Sequence, residues 1–364
     1  MGKNNVLRNI GLQFFAESKL SIFNLVTAPE LTAYWDAFTK DRPPFLGETL
    51  FPAQKKLGLD LKWIKGSAGL PIVLKPSAFD AAAVPRPRIG FDRLSAQMPF
   101  FKESTYIDEE LRQQLNMVME TGNQAYIDSI MNQVFNDEVR LLEAAAARRE
   151  MMRMSALTSG AISIVANGQS YTYDYGIPSN HKAQVTKSWS DPTADILGDI
   201  RAWQDQIETD TGVKPTRAVC DNVVWSNIKK NAAISKAIYV VAGGGVTVND
   251  ARAKAFLLDE LGLSVTVYTK MYLNDEGTST RYMPADTFVL MPTGKLGNTW
   301  FGTTPEESDL MGAAATNVSI TDTGVAVTTM TKTDPVNVET KVTMISMPSF
   351  EMADHVFIGD VNAD

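Results

Sequence analysis

Two histidines and one cysteine are the residues of this 364-residue chain that most often perform acid–base or nucleophilic chemistry. His181 and His355 lie far apart in the chain, and neither belongs to a metal-binding spacing such as H-E-x-x-H. His181 falls in a polar loop and His355 at the start of a predicted terminal strand, so we interpret them as surface or strand residues. Cys220 ends a predicted strand, which favours a buried structural thiol.

Two glycine-containing segments could approach a phosphate group. Gly243-Gly-Gly245 lacks the G-x-G-x-x-G spacing, and its apolar neighbours predict a flexible loop between short strands. Gly294-Lys295 looks like half of a P-loop, but Leu296 stands where the hydroxyl residue should be. The sequence also has no G-x-S-x-G turn to carry a nucleophilic serine.

The acidic run Asp108-Glu-Glu110 could be mistaken for catalytic carboxylates. It lies at the beginning of a long helical period, and Arg148, Arg149 and Arg153 lie at the end of that period. Because a helix dipole favours acidic side chains at its N-terminus and basic ones at its C-terminus, we interpret both groups as helix-end charges. The sequence therefore predicts no catalytic, cofactor-binding or metal-binding residue, no cofactor and no enzymatic activity.

The net charge of −8 is unevenly distributed along the chain. Residues 1–102 hold 14 Lys and Arg against 8 Asp and Glu, whereas residues 103–364 hold 20 against 34. An acidic chain does not favour tight binding of nucleic acid. The basic and acidic parts could attract each other between neighbouring copies, or they could form an uneven solvated surface.

The chain shows no signal for a membrane or for secretion. No apolar run reaches the roughly 18 residues of a transmembrane helix, and the basic start lacks the apolar core of a signal peptide. A single cysteine excludes an internal disulfide framework and fits a reducing cytoplasm.

The first hundred residues predict a short helix and a long excursion. Thr27-Ala-Pro-Glu30 is typical of a capping box that begins a helix, and Asp41-Arg-Pro-Pro44 ends it. Residues 45–102 carry prolines and glycines between short strand-like runs at 59–64 and 70–74. This pattern predicts a two-stranded loop that reaches a neighbouring subunit.

A helical period then runs from about residue 107 to 157. Counted only from 123 to 154, it predicts a helix roughly 48 Å long at 1.5 Å per residue. After Gly160, residues 162–165 and 170–175 predict a hairpin with Asn167-Gly168 as its turn.

Residues 191–316 alternate helical and strand patterns, which predicts a small α/β domain. Asp191-Pro192 predicts the start of a helix that ends at Gly212, and a second helix is predicted near 223–235. Within this domain, strands are predicted at 216–220, 264–268 and 287–291. In the tail, residues 317–364, strands are predicted at 324–328, 338–345 and 355–358.

The order of these elements, with several short motifs, resembles the lambda-type phage capsid protein E family. Each motif is weakly specific, but their order extends from about residue 25 to the end. The motifs are Asn136-Asp-Glu138, Trp189-Ser-Asp-Pro-Thr-Ala-Asp-Ile196, Met291-Pro-Thr-Gly294, Gly302-Thr-Thr-Pro-Glu306 and Pro348-Ser-Phe-Glu-Met352.

The resemblance implies an α+β chain with the tailed-phage major capsid fold. It divides the chain into an N-terminal arm (1–44), an extended β-hairpin loop (45–102), a spine helix with the first part of a peripheral domain (103–190), an axial α/β domain (191–316) and the peripheral β return (317–364). Lys62, Lys65 and Lys75 lie in the loop, but their spacing identifies no cross-linking triad.

The resemblance also implies a function. The chain would form the hexamers and pentamers of an icosahedral phage head around double-stranded DNA, in the virion, after assembly in the host cytoplasm. Its partners would be other copies of itself and portal and scaffolding proteins, with a decoration protein left open; contact with DNA would be non-specific, and no membrane would be involved. Two alternatives stay open: an encapsulin-like compartment shell, and a nucleotide-using α/β enzyme built on residues 191–316.

Overall fold

The computed structural model describes the chain between Thr27 and Ala363, with gaps. The described residues are 27–40, 42–64, 93–107, 109–110, 113–114, 117, 124–166, 168–239, 248–274, 276–310, 316–334 and 336–363.

Helices and strands alternate along these ranges. The helices are α1 (Ala28–Thr39), α2 (Leu46–Leu50), α3 (Gln124–Ser159), α4 (Ile196–Thr211), α5 (Asn222–Lys230), α6 (Ala232–Ile238) and α7 (Asp250–Leu261). The first strands are β1 (Ala53–Lys55), β2 (Asp60–Ile64), β3 (Arg93–Gln97), β4 (Phe100–Ile107), β5 (Ala161–Ala166), β6 (Gln169–Asp174), β7 (Lys182–Gln184), β8 (Arg217–Cys220) and β9 (Ser264–Val267). The later strands are β10 (Met271–Leu273), β11 (Ser279–Arg281), β12 (Thr287–Met291), β13 (Asn298–Phe301), β14 (Thr316–Thr321), β15 (Val325–Thr333), β16 (Val336–Ser349) and β17 (Phe357–Asp360).

The predicted capping box of α1 is confirmed. Thr27 accepts from the backbone of Glu30, whose side chain accepts in turn from the Thr27 backbone amide. The helix buries Leu31, Tyr34 and Trp35 against α3 and the long sheet. Its entry into the core is therefore fixed by local sequence.

The predicted long helix is α3, the spine helix. Its 36 residues make it about 54 Å long. It ends at Gly160, whose φ of 76° suits glycine. Of residues 107–123, only 109, 110, 113, 114 and 117 are described as helical, so the start of the predicted period lies mostly outside the described residues.

A six-stranded sheet lies against the spine helix. Its strands follow the order β1-β13-β16-β15-β14, and β4 also pairs with β16. Strand β16 is central because its first part pairs with β15 and β4 and its last part with β13. The apolar cluster between this sheet, α1 and α3 includes Val139, Leu142, Val327, Val342 and Met344.

A five-stranded sheet has the order β7-β17-β12-β8-β9. On one face, Cys220, Phe288 and Phe357 pack under α4, α5 and α7. On the other face, Val219 and Val289 join a core that includes residues at the C-terminal end of the spine helix. This sheet is thus covered on both sides, and helices α4 to α7 form an outer layer.

Two helices in this region differ from the predictions. The helix predicted at Asp191-Pro192 begins at Ile196, because Asp195 is the residue that caps it while Asp191 accepts hydrogen bonds from Thr193 in the preceding turn. The helix predicted near 223–235 is two helices, because Asn231 leaves the helical conformation and caps α6 with its side chain.

The sheets also combine segments that are distant in the chain. Strands β7 and β17 pair within the five-stranded sheet, although they lie before residue 191 and after residue 316. Strand β13 pairs with β16 in the long sheet. The division into five ranges stays a prediction, and hydrogen-bonded sheets cross three of its boundaries.

Candidate assembly surfaces

The sequence suggested that His181 is a surface residue, but the structure buries it. It lies in a 3₁₀ turn and only 1% of it is exposed. Its Nε2 lies 2.9 Å from Oδ2 of Asp210, on α4, which also accepts from Asn180 and Gln206. Hydrogen bonds from Gln206 and His181 hold the pKa of the Asp210 carboxyl below its ordinary value. The imidazole therefore joins a structural network between the turn and α4.

His355 is also buried, and it does not begin a strand. It closes a 3₁₀ turn with 2% of it exposed, and β17 begins two residues later. Burial lowers the pKa of its imidazole. Within the described ranges, no group of three or more His, Cys, Asp and Glu side chains could hold a metal ion, and no helix is long and apolar enough to cross a bilayer.

The remaining chemical candidates from the sequence have structural roles. Cys220 is fully buried in β8, as predicted, and burial raises the pKa of its thiol. The turn at Gly294 presents its carbonyl to Arg217, which also donates to the Pro292 carbonyl at 2.8 Å. Because carbonyl oxygens face a guanidinium there, the turn is not arranged to hold a phosphate. Gly243-Gly-Gly245 lies outside the described residues.

The acidic run at 108–110 is described only at Glu109 and Glu110, both helical. Glu109 accepts a hydrogen bond from the backbone amide of Val336 at the start of β16. The carboxylate therefore ties a helical residue to the long sheet, and this contact was not predicted.

Arginines of the spine helix were predicted to be helix-end charges, and for Arg149 and Arg153 this is wrong. Both are buried, because the helix continues to Ser159 between packed elements. Arg153 donates to Thr299 of β13 at 2.8 Å and lies 3.5 Å from Oε2 of Glu150. Arg149 lies 2.6 Å from Asp322 in the β14–β15 turn.

Glu150 is the centre of this buried network, and the sequence did not single it out. Its Oε1 accepts from the Gly47 amide at 3.0 Å and from the Tyr268 hydroxyl at 2.7 Å. Burial raises the pKa of the Glu150 carboxyl. The only local signal is a glutamate three residues before an arginine, which is common on exposed helix faces. Through this residue, the spine helix is joined to α2 and to the segment after β9.

The described residues form three two-stranded ribbons outside the two larger sheets, and these ribbons are the candidate assembly surfaces. They are β2 with β3, β5 with β6, and β10 with β11. The first contains Lys62, while Lys65, Lys75 and the strand predicted at 70–74 lie outside the described residues. The second confirms the predicted Asn-Gly hairpin, with Gly168 at a φ of 73°.

The ribbons and their neighbours expose apolar side chains. Val165 on β5 and Leu273 on β10 are each 71% exposed, and Leu57, just before β2, is 84% exposed. A two-stranded ribbon is marginally stable alone in water, and it gains stability when another surface covers it. The alternating Met271-Tyr-Leu273 followed by Gly277 is the sequence signal that would have revealed the third ribbon.

Comparisons with known proteins agree with this architecture. The profile of the family described as phage major capsid protein E matches residues 27–361. A protein described as a prophage capsid protein from Escherichia coli CFT073 superposes with a TM-score of 0.57 at 16% identity, covering 93% of this chain and 99% of that one. A phage-related protein from Bordetella bronchiseptica RB50 gives a TM-score of 0.54 at 12% identity, covering 92% and 97%.

The capsid of cyanophage A-1(L) gives a TM-score of 0.51 at 10% identity, covering 88% of this chain and 93% of that one. No curated protein matches the chain by sequence. At these identities the structures show the fold alone, which is the tailed-phage capsid fold that the element order predicted. The match over 335 residues (27 to 361) shows the family. The chain belongs to the phage major capsid protein E family, a family of shell-forming proteins of the virion capsid.

Proposed function

We propose that this chain forms the hexamers and pentamers of an icosahedral phage head that encloses double-stranded DNA. The family match carries this proposal, and the two-stranded ribbons support it because they and their neighbours expose apolar side chains that adjacent copies would cover. The observations favour a phage head over the compartment shell, since the family is described by its phage capsid members.

The predicted ranges then acquire roles in the shell. The arm at 1–44 and the extended loop at 45–102 reach adjacent subunits, while α1, α2 and β1 within these ranges pack against their own chain. The spine helix and the long sheet form the peripheral part, and most of 191–316 forms the axial part. The buried network of Glu150 and Arg153 supports this assignment because it holds the base of the loop to the spine.

Further partners follow from the same role. Portal and scaffolding proteins contact the shell, and a decoration protein is an additional candidate. DNA contact is non-specific, in keeping with the net charge of −8. The protein acts without a cofactor and without catalysis.

Electron microscopy of the purified protein tests the proposal. We expect closed shells tens of nanometres across, or rings and sheets of hexamers, in negative stain, with matching particle sizes in light scattering. If the protein is monomeric, co-expression with its phage's scaffolding protein is expected to produce shells. A protein that stays monomeric in both experiments contradicts the proposal.

A further inference from the structure

The outer helix layer carries a cluster of acidic side chains at one end. Asp205 and Glu208 lie one turn apart on α4, and Asp259 and Glu260 end α7; all four are exposed. Arg201 of α4 pairs with Glu260. Asp205, Glu208 and Asp259 have no ion-pair partner among the described residues. We name these four acidic residues the acidic face.

The same layer carries a group of cations elsewhere. Within residues 222–256 the chain has five Lys and Arg against one Asp, although the whole chain is acidic. We name the five cations the basic face: Lys229, Lys230, Lys236, Arg252 and Lys254.

The basic face keeps most of its charge uncompensated. Its one acid, Asp250, pairs with Lys229 at 2.7 Å. Arg252 lies over the ring of Tyr239 at 5.2 Å, and Lys254 lies 6.0 Å from the ring of Trp225. These aromatic contacts orient the cations without neutralising them. Leu258, one turn after Lys254, is 53% exposed and adds apolar area beside the charges.

Helix α7 contacts both α4 and α5 and contributes residues to both faces. On one flank, Glu260 contacts α4 through Arg201. On the other flank, Lys254 contacts α5 through Trp225. The helix layer is therefore electrically dipolar, with negative charge on the α4 flank and positive charge on the α5 flank.

The stability of a single copy explains only part of this arrangement. Lys229, Lys230 and Lys236 lie in the last turns of α5 and α6, where a helix dipole favours cations. The acidic face does not follow this rule, because α4 and α7 both end on acidic residues and neither has a basic residue in its last turn. A cationic partner outside the copy would compensate these acidic helix ends.

We propose that the basic face of one copy binds the acidic face of the next copy, head to tail, around a ring. The two faces differ, so the contact is heterologous, and repeating it closes a ring of subunits. Opposite charges set the register of that contact and exclude the two like-charged pairings. This inference rests on the proposed shell function and names the surfaces that join copies within one capsomer.

Charge reversal tests the contact with two variants of the full chain. The first carries Lys230→Glu, Lys236→Glu and Lys254→Glu, and the second carries Asp205→Lys, Glu208→Lys and Asp259→Lys. All six sites are exposed, so both variants are expected to keep the circular dichroism and melting temperature of the parent. Each variant alone places like charges in the contact, and we expect its association constant to fall about tenfold or more at low salt.

An equal mixture of the two variants is expected to restore association, because every contact again joins opposite charges. In such a ring the variants must alternate, so six-membered rings form and five-membered rings do not. The mixture is therefore expected to give hexamers, sheets or tubes without closed shells. A single chain carrying all six substitutions is expected to regain closed shells, since the signs of its two faces are exchanged.

Matched controls are Arg140→Glu and Asp137→Lys, which change exposed charges on the spine helix, outside both faces and outside the ribbons. Electron microscopy and analytical ultracentrifugation read out all the proteins. Normal assembly of either triple variant, or a mixture that stays dissociated, overturns the inference while parent shells still support the proposed function. A parent that forms no shell even with scaffolding protein, together with variants that associate only when mixed, supports the contact and contradicts the shell proposal.

Discussion

The two cores on either side of the five-stranded sheet differ in the charged side chains that they bury. Under helices α4 to α7 the core is aromatic and aliphatic, with Trp189, Trp203 and Phe288 at its centre. Around the spine helix the core holds Glu150 and Arg153, both almost fully buried. Both cores join segments that are distant in the chain, but the first does so through apolar side chains such as Trp203 and Phe357, and the second also through buried polar partners. A change of charge should therefore cost most at the spine helix.

Removing one member of the buried network is expected to have the largest effect. Glu150→Ala removes the buried carboxylate that faces Arg153 and accepts from Tyr268, which leaves the Arg153 charge buried with only Thr299 and the more distant Glu48, and this should cost about 3–5 kcal/mol of unfolding free energy. Urea denaturation of the unassembled subunit, followed by circular dichroism, measures it.

Two further variants serve as controls for the effect of Glu150→Ala on stability. Asp137→Ala removes an exposed pair with Arg140 and should cost less than about 1 kcal/mol. Replacing Glu150 and Arg153 together by Met should recover much of the loss, because no charge is then left buried. Equal destabilisation by the single and double replacements would contradict a role for the ion pair.

Truncating the aromatic core tests the other side of the comparison. Trp203 stacks on Trp189 at 5.6 Å and on Phe357 at 5.2 Å, so Trp203→Ala should lower the unfolding free energy by about 3–4 kcal/mol. Leu258→Ala, on the exposed side of the same layer, should stay within about 0.5 kcal/mol. Similar losses in both variants would mean that the layer is not packed around Trp203.

A pH experiment tests the buried carboxyl of Glu138 on the spine helix. Burial raises the pKa of Glu138 on the spine helix to about 7, and its Oε2 has no hydrogen-bond partner among the described residues. Because the folded pKa lies above the unfolded one, the stabilisation is present below about pH 4.5 and is lost as pH rises to about 7.

Glu138→Gln should remove this dependence. From pH 5 to pH 8 the variant should gain up to about 3 kcal/mol relative to the parent, measured by denaturation at each pH. Glu110→Gln controls for the loss of an exposed carboxylate. Parallel pH profiles for the parent and Glu138→Gln would show that Glu138 does not titrate in this range.

The smallest expected effect is at the break between α5 and α6. Asn231 accepts from the Ile234 amide at 3.1 Å and donates to the Ala194 carbonyl at 2.8 Å. Asn231→Ala should cost about 1–2 kcal/mol, and Asn231→Ser, which keeps an uncharged acceptor for the Ile234 amide, should cost less. Thermal denaturation measures both; an equal cost would assign the effect to the Ala194 contact alone.

Elements with strong local signals were predictable from the sequence. The capping box at Thr27, the spine helix and the Asn-Gly hairpin each follow from residues within one element, and each is confirmed. The break at Asn231 had a local signal too, since Asn is a common N-cap, but an unbroken apolar period masked it.

Features that depend on partners distant in the chain could not be predicted from the sequence. Glu150 meets Gly47 across 103 positions, and Arg153 meets Thr299 across 146, so no window of sequence contains both partners. The burial of His181 and His355 likewise depends on packing against elements elsewhere in the chain. Counting charges over residues 1–102 and 103–364 does not reveal the two charged faces of the outer layer, because both faces lie within the predicted range 191–316.

Strand β17 lies inside the five-stranded sheet, between β7 and β12, although it is the last strand of the described chain. A ribosome must therefore synthesise residues 357–360 before that sheet can close. A chain that stops short of them leaves the edges of β7 and β12 open and the aromatic core without Phe357. Such a fragment lacks a finished helix layer to present to its neighbours. We therefore expect truncated chains that lack this strand to be excluded from assembly.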